Sequence, residues 1–156
     1  MAMTDEAFEI LVNQLQQQSF VDVREAFGEK GFERWLNPKF NQPLPDADSS
    51  ACLKGTCGDT MEIFLKFDNN RVKKASYKTD GCGSSALCGS FTAELAHGKS
   101  PEDLLELDAT DVLRTIGRFP KKDRHCATLA ILALHEAVNN YMIKQVSGAK
   151  RKTDHK

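Results

Sequence analysis

The chain has 156 residues, of which 40% are hydrophobic and 28% charged, enough for one domain with a real buried core. Its 21 Lys and Arg against 22 Asp and Glu leave a formal charge of −1, so charge gives no case for nucleic acid or a membrane surface as partner. No apolar run approaches the roughly 18 residues needed to span a bilayer, and Met1 to Glu6 lacks the basic and apolar regions of a signal peptide. A cytoplasmic protein is expected, with its five cysteines (52, 57, 82, 88, 126) as thiols. An odd count at irregular spacing also argues against a disulfide framework.

Thr4 is placed to cap a first helix, with Asp5 and Glu6 opposing the positive end of its dipole. Phe8, Leu11, Val12 and Leu15 form an apolar stripe at helical spacing, expected to dock on the domain, with dimerisation as the less favoured use. A second helical piece is predicted over Val21 to Leu36, interrupted near Gly28 and ended by Asn37-Pro38. Phe32 and Trp35 on it read as core or partner-contact aromatics. From Phe40 to Ser50 two prolines and little periodicity predict a surface loop.

Met61, Ile63, Leu65 and Phe67 alternate with more polar neighbours, the pattern of a half-buried strand. Asp68-Asn69-Asn70 turns the chain, and Val72 to Thr79 returns with a slip across Lys73-Lys74 that predicts a β-bulge. The hairpin carries Cys57 and Cys82 to the same end of the sheet. Beyond it the pattern is helical. Ser84 or Ser85 is expected to cap a helix bearing Leu87, Phe91 and Leu95 and closed by Gly98. Ser100-Pro101 starts another, and a short helix around Val112 and Ile116 ends at Gly117. Asp123 is expected to cap the longest helix, which carries Ala127, Ala130, Leu134 and Val138 on one face. The basic residues 147–156 read as a disordered tail. The division expected is therefore an N-terminal extension over 1–28, a domain over 29–146 and this tail.

Three segments carry the chemistry: Cys57-Gly58-Asp59, Gly81-Cys82-Gly83-Ser84 and His125-Cys126. Cys126 falls in the first turn of the last helix, where open N–H groups and Lys121, Lys122 and Arg124 favour a thiolate. Glycines beside Cys57 and Cys82 allow unusual backbone angles and leave N–H groups facing an anionic centre. Three thiolates with Asp59 or His125 make a tetrahedral set acceptable to zinc. The same set could hold a 2Fe–2S cluster, for which four cysteines are more usual. A carboxylate is the harder ligand, so a cluster on Cys57, Cys82, Cys126 and Asp59 should be labile. Lability suits a protein that gives its cluster away. Cys52 and Cys88 read as structural, and His97, His135 and His155 are poor ligand candidates. A thiol enzyme with Cys126 as nucleophile is disfavoured, because adjacent helical residues point about 100° apart, away from proton transfer by His125.

With those residues in view, the chain from about Glu29 to Tyr141 resembles the iron–sulfur cluster assembly scaffold family, the IscU / NifU N-terminal type. Glu29-Lys30 and Asn37-Pro38 resemble its N-terminal segment, followed in order by Cys57-Gly58-Asp59, Thr79 to Ser84, Gly98-Lys99-Ser100 and His125-Cys126. The resemblance implies an α+β fold, a small antiparallel sheet of about three strands packed against helices. It implies a scaffold, not an enzyme. Sulfur from a cysteine desulfurase, together with iron, is assembled there into a transient 2Fe–2S cluster and passed to apo iron–sulfur proteins or carriers. Cys57, Cys82 and Cys126 match the family's ligands, Asp59 and His125 its remaining site residues, and Cys126 the sulfur acceptor. Phe119-Pro120-Lys121-Lys122-Asp123 stands where many members carry Leu-Pro-Pro-Val-Lys, which leaves a dedicated chaperone open as a partner. The alternative is a zinc-dependent persulfide acceptor beside the same desulfurase. An electron carrier with Cys88 as fourth thiolate ranks below both.

Overall fold

The computed structural model describes residues 4–56, 58–81 and 83–154, with side chains through Ser147. Their order is α1 (Asp5–Leu36), β1 (Ser49–Lys54), β2 (Thr60–Asp68), β3 (Arg71–Thr79), α2 (Gly83–Ala96), α3 (Pro101–Glu106), α4 (Ala109–Ile116) and α5 (His125–Asp154). The strands form one antiparallel sheet in the order β1-β2-β3. This is the α+β architecture the sequence leads one to expect.

Alternation in β2 does what period two requires, since Met61, Ile63 and Leu65 are all fully buried. They face Ala75 and Tyr77 from β3 within one core. Helix α2 covers β3 and helix α5 crosses β1 and β2, adding Leu87, Phe91, Ala130, Leu134 and Val138 to that core. The predicted bulge is present: Lys66 pairs with Lys74 and Phe67 with Val72, leaving Lys73 as the extra residue. Each outer strand makes a hydrogen bond to chain outside the sheet. The Tyr77 N–H donates to the Phe40 carbonyl at 2.8 Å on one side, and Asn140 Nδ2 donates to the Ser50 carbonyl at 2.9 Å on the other.

The sheet has the three strands the resemblance implies, but periodicity does not place β1 and reads Ser49 and Ser50 as the end of the preceding loop. The pairing of β1 with β2, Ser49 opposite Leu65 through Lys54 opposite Thr60, supplies the regularity that its composition does not.

The first helix also differs. It runs unbroken from Asp5 to Gly28, where φ 74° and ψ −177° turn the chain, so there is no gap before Val21. A side chain would be strained at that φ, which explains why glycine holds the bend. The expected docking of the apolar stripe is overturned: Phe8, Leu11, Val12 and Leu15 are 58, 39, 42 and 60% exposed. The physical reason is that α2, α4 and α5 already close the core. Helix α1 meets the core only from Val23 onward, and across its Gly28 bend it also packs on itself. Phe20 packs edge-on to Phe32 and Trp35, and Phe27 against Phe119. Arg34 then ties α1 to α2. Its Nη1 donates to Ser90 Oγ at 2.8 Å, its Nη2 meets Glu94 Oε1 at 2.5 Å, and its guanidinium lies 4.2 Å from the Phe91 ring centre.

At the other end α5 continues to Asp154, past the point where a disordered tail is expected. No helix among the described residues is long and apolar enough to cross a membrane.

Candidate metal and sulfur site

Two chain junctions and one helix start meet at a single end of the sheet. The first is the β1–β2 loop, closed by the Gly55 N–H on the Asp59 carbonyl at 2.7 Å and the Gly58 N–H on the Gly55 carbonyl at 3.0 Å. Gly58 sits at φ 93° in open space, so backbone conformation, not crowding, requires glycine there. The second is the passage from β3 to α2 through Asp80 and Gly81. Met61 pairs with Thr79, the Thr79 hydroxyl donates to the Thr60 carbonyl at 2.5 Å, and the Thr60 N–H donates to Asp80 Oδ1 at 2.7 Å. That N–H holds the Asp80 carboxyl below the usual aspartate range. Its contribution to stability is thus present above the ordinary aspartate pKa and fades as pH falls through the lowered one. Cys57 and Cys82 lie outside the described residues; their chain neighbours are Gly58 in the loop, and Gly81 and Gly83 at the head of α2.

The start of α5 is pinned to the start of α2. Ser84 Oγ donates to Asp123 Oδ2 at 2.8 Å, and Ser85 Oγ lies 3.0 Å from Asp59 Oδ2 and 3.3 Å from Cys126 Sγ. Three segments far apart in sequence are joined by two hydroxyls. Gly81 closes the junction tightly. A Cβ there would stand 2.6 Å from Asp59 Oδ2 and 2.7 Å from Ser85 Oγ, so crowding, not φ, demands glycine. Cys126 is buried and lies in the first turn of α5, as expected, while His125 is exposed.

Three expectations are corrected here. Neither Ser84 nor Ser85 caps α2: both fall inside its first turn and spend their hydroxyls on tertiary partners. Asp123 does not cap α5. A short 3₁₀ turn spans Lys121–Asp123, the Arg124 carbonyl accepts from the N–H groups of Ala127 and Thr128, and Ser84 holds the Asp123 carboxylate. His125 and Cys126 are also closer than ideal helical geometry implies, with Nε2 at 3.7 Å from Sγ. The change from 3₁₀ turn to α-helix begins at these residues, where ideal side-chain directions no longer apply.

Asp59, Cys126 and His125 are thus placed at one sheet end, with Ser85 between the first two. Among the described residues, which exclude Cys57 and Cys82, no three His, Cys, Asp or Glu side chains form a metal-holding group. Of the two cysteines read as structural, only Cys88 has the burial that reading implies. Cys88 is fully buried in the core, and Cys52 is exposed on β1. The ring nitrogens of His97 and His135 contact the carbonyls of Ala93 and Leu107, at 2.7 and 2.9 Å. Sequence reasoning did not find the cleft of about 250 Å³ beside the site, lined by Arg34, Trp35, Tyr77, Gly81, Gly83 and Ser90. Burial pushes the Tyr77 hydroxyl pKa up, against the pull of Arg34.

The fold and this end of the sheet define an α+β domain with a thiol–carboxylate site. Residues 26–148 match the family described as NifU-like N terminal domain, and the chain belongs to that family. A scaffold protein of Archaeoglobus fulgidus named "Iron-sulfur cluster assembly scaffold protein IscU 1" is 32% identical over 119 residues, covering 76% of this chain and 78% of its own. The Aquifex aeolicus protein named "Iron-sulfur cluster assembly scaffold protein IscU" is 32% identical over 122 residues, with the same coverage. The Drosophila melanogaster protein named "Iron-sulfur cluster assembly enzyme IscU" is 31% identical over 150 residues, covering 93% of this chain and 96% of its own. Among solved structures, the NifU-like N-terminal protein of Brucella abortus superposes with a TM-score of 0.61 at 18% identity, over 78% of this chain and 98% of that one. At that identity the likeness concerns the fold.

Proposed function

We propose that this protein is a scaffold on which a transient 2Fe–2S cluster is assembled and from which it is handed on. The observation that carries the reading is the contact of Asp59 and Cys126 through Ser85, in a chain whose relatives are named assembly scaffolds. Cys57, Cys82 and Cys126 are the thiolate ligands and Asp59 supplies the fourth position. His125, 3.7 Å from the Cys126 sulfur, is the donor that can replace Asp59. Cys126 accepts sulfur from a cysteine desulfurase, and the recipients are apo iron–sulfur proteins or carriers. The protein acts in the cytoplasm and turns over no substrate of its own. Zinc in isolated protein would occupy the same donors; the zinc-dependent persulfide acceptor is not favoured by the names of the relatives.

The cluster is cargo here, so the mixed donor set matters. Thiolates match iron–sulfur chemistry, and the carboxylate is the hard ligand that an incoming thiol displaces most readily. Anaerobic reconstitution with iron and sulfide should give a coloured species that transfers to an apo-ferredoxin. In Asp59→Ala, absorbance decay should slow measurably, because the hard ligand that an incoming thiol displaces most readily is gone. An unchanged decay removes Asp59 from cluster release.

A further inference from the structure

We propose that Ser85 is a positioning residue that holds the Asp59 carboxylate ready to ligate beside the Cys126 sulfur. The inference rests on the scaffold reading and assigns a role to a residue which that reading leaves out. Ser85 is fully buried in the first turn of α2. A helical serine commonly returns its hydroxyl to a carbonyl of its own helix. This one instead reaches Asp59, 26 positions back, and Cys126, 41 positions on. It therefore links two candidate donors that no backbone hydrogen bond connects.

The geometry assigns the direction of the effect. Ser85 engages Oδ2 of Asp59, so the carboxylate is fixed through one oxygen and offers the other as a single-point donor. Gly81 walls the same pair, because a Cβ there would fall 2.6 Å from Oδ2 and 2.7 Å from the Ser85 hydroxyl. A hydroxyl carries one proton, so Ser85 donates to the carboxylate or to the sulfur, not to both at once. Hydrogen bonds of this kind orient metal-ligating carboxylates, and their loss lowers metal affinity by about 10- to 100-fold. Without Ser85, Asp59 keeps its chemistry and loses its position.

The test uses cobalt(II) titration of the full-length, metal-free protein without oxygen, following thiolate-to-cobalt charge transfer and the d–d bands. Ser85→Ala should weaken cobalt binding roughly tenfold while keeping the charge-transfer band, because the thiolates are untouched. In an Asp59→Ala background the same change should alter affinity less than about twofold. The charge-transfer intensity of the wild type reports on the scaffold reading itself. If that band is absent, the site is wrong and the role of Ser85 falls with it. If the band is present and Ser85→Ala binds like wild type, or weakens binding equally with and without Asp59, the positioning role is overturned and the site stands. Should Ser85→Ala fail to fold, Gly81→Ala forces a methyl against the same two oxygens. It is then read against Asp59→Ala in the same way.

Discussion

Cys126→Ser should abolish stable cluster loading and leave the protein folded. A serine hydroxyl is a hard, protonated donor at neutral pH, and it replaces a thiolate ligand to soft iron–sulfur chemistry. Cluster affinity should fall by more than about a hundredfold, because losing a ligand outweighs losing one of its hydrogen-bonded partners, so little iron or sulfide should survive desalting. The fold should tolerate the change. Cys126 is 1% exposed, and a serine there keeps the size class of the side chain and can still contact Ser85. The stability cost is about 1 kcal/mol, the scale of one altered buried polar contact. The checks are iron and sulfide quantitation after anaerobic desalting and a thermal melt of the same sample. Wild-type loading in this variant would remove Cys126 from the ligand set.

Gly89→Ala should destabilise the protein, against the usual trend for glycine in a helix. Ala in place of Gly inside a helix ordinarily contributes about 1 kcal/mol of stability. Here the added Cβ would stand 2.5 Å from Tyr77 Cδ2, 2.7 Å from Tyr77 Cγ and 3.1 Å from Met61 Sδ. None of these atoms is the end of a flexible chain. The Tyr77 ring is 3% exposed, its backbone is paired on both sides with Ile63 and Phe40, and Met61 is fully buried. Overpacking of this sort costs about 1–3 kcal/mol, occasionally more. With contacts this short the upper figure applies, so the net loss is about 2 kcal/mol. For a chain of this size that lowers Tm by roughly 4–8 °C. A melt at or above the wild-type temperature would show that α2 stands further from β3 than described. Because α2 carries Ser85, a displaced α2 should also loosen the site.

Much of the fold was legible because its elements obey their own periodicity. The β2–β3 hairpin, its bulge at Lys73, the Ser100 cap and the Gly117 terminus are local patterns with local causes. What failed was tertiary. The stripe from Phe8 to Leu15 has helical spacing, yet no sequence pattern reveals that the core is closed without it. Strand β1 is mostly small and polar, and it exists because β2 offers it an edge. The site divides along the same line. Asp59, His125 and Cys126 were readable as residue types beside glycines, and the structure brings them to one sheet end. Ser85 was not readable. A serine at a helix start announces a cap, and only the approach of the β1–β2 loop and α5 gives it other partners. Trp35 and Arg34 were visible as residues, but their place beside Gly83 and over α2 depends on the Gly28 bend.

In the proposed site the sulfurs at 57, 82 and 126 share one inorganic centre with the Asp59 carboxylate. X-ray absorption at the zinc edge, on protein loaded with one equivalent of zinc, reads that donor set without needing a transferable cluster. Three sulfurs at about 2.3 Å and one oxygen at about 2.0–2.2 Å are expected. In Asp59→Ala the carboxylate should be replaced by the His125 imidazole or a water while all three sulfurs remain. A first shell holding fewer than three sulfurs in the wild-type protein would contradict that site.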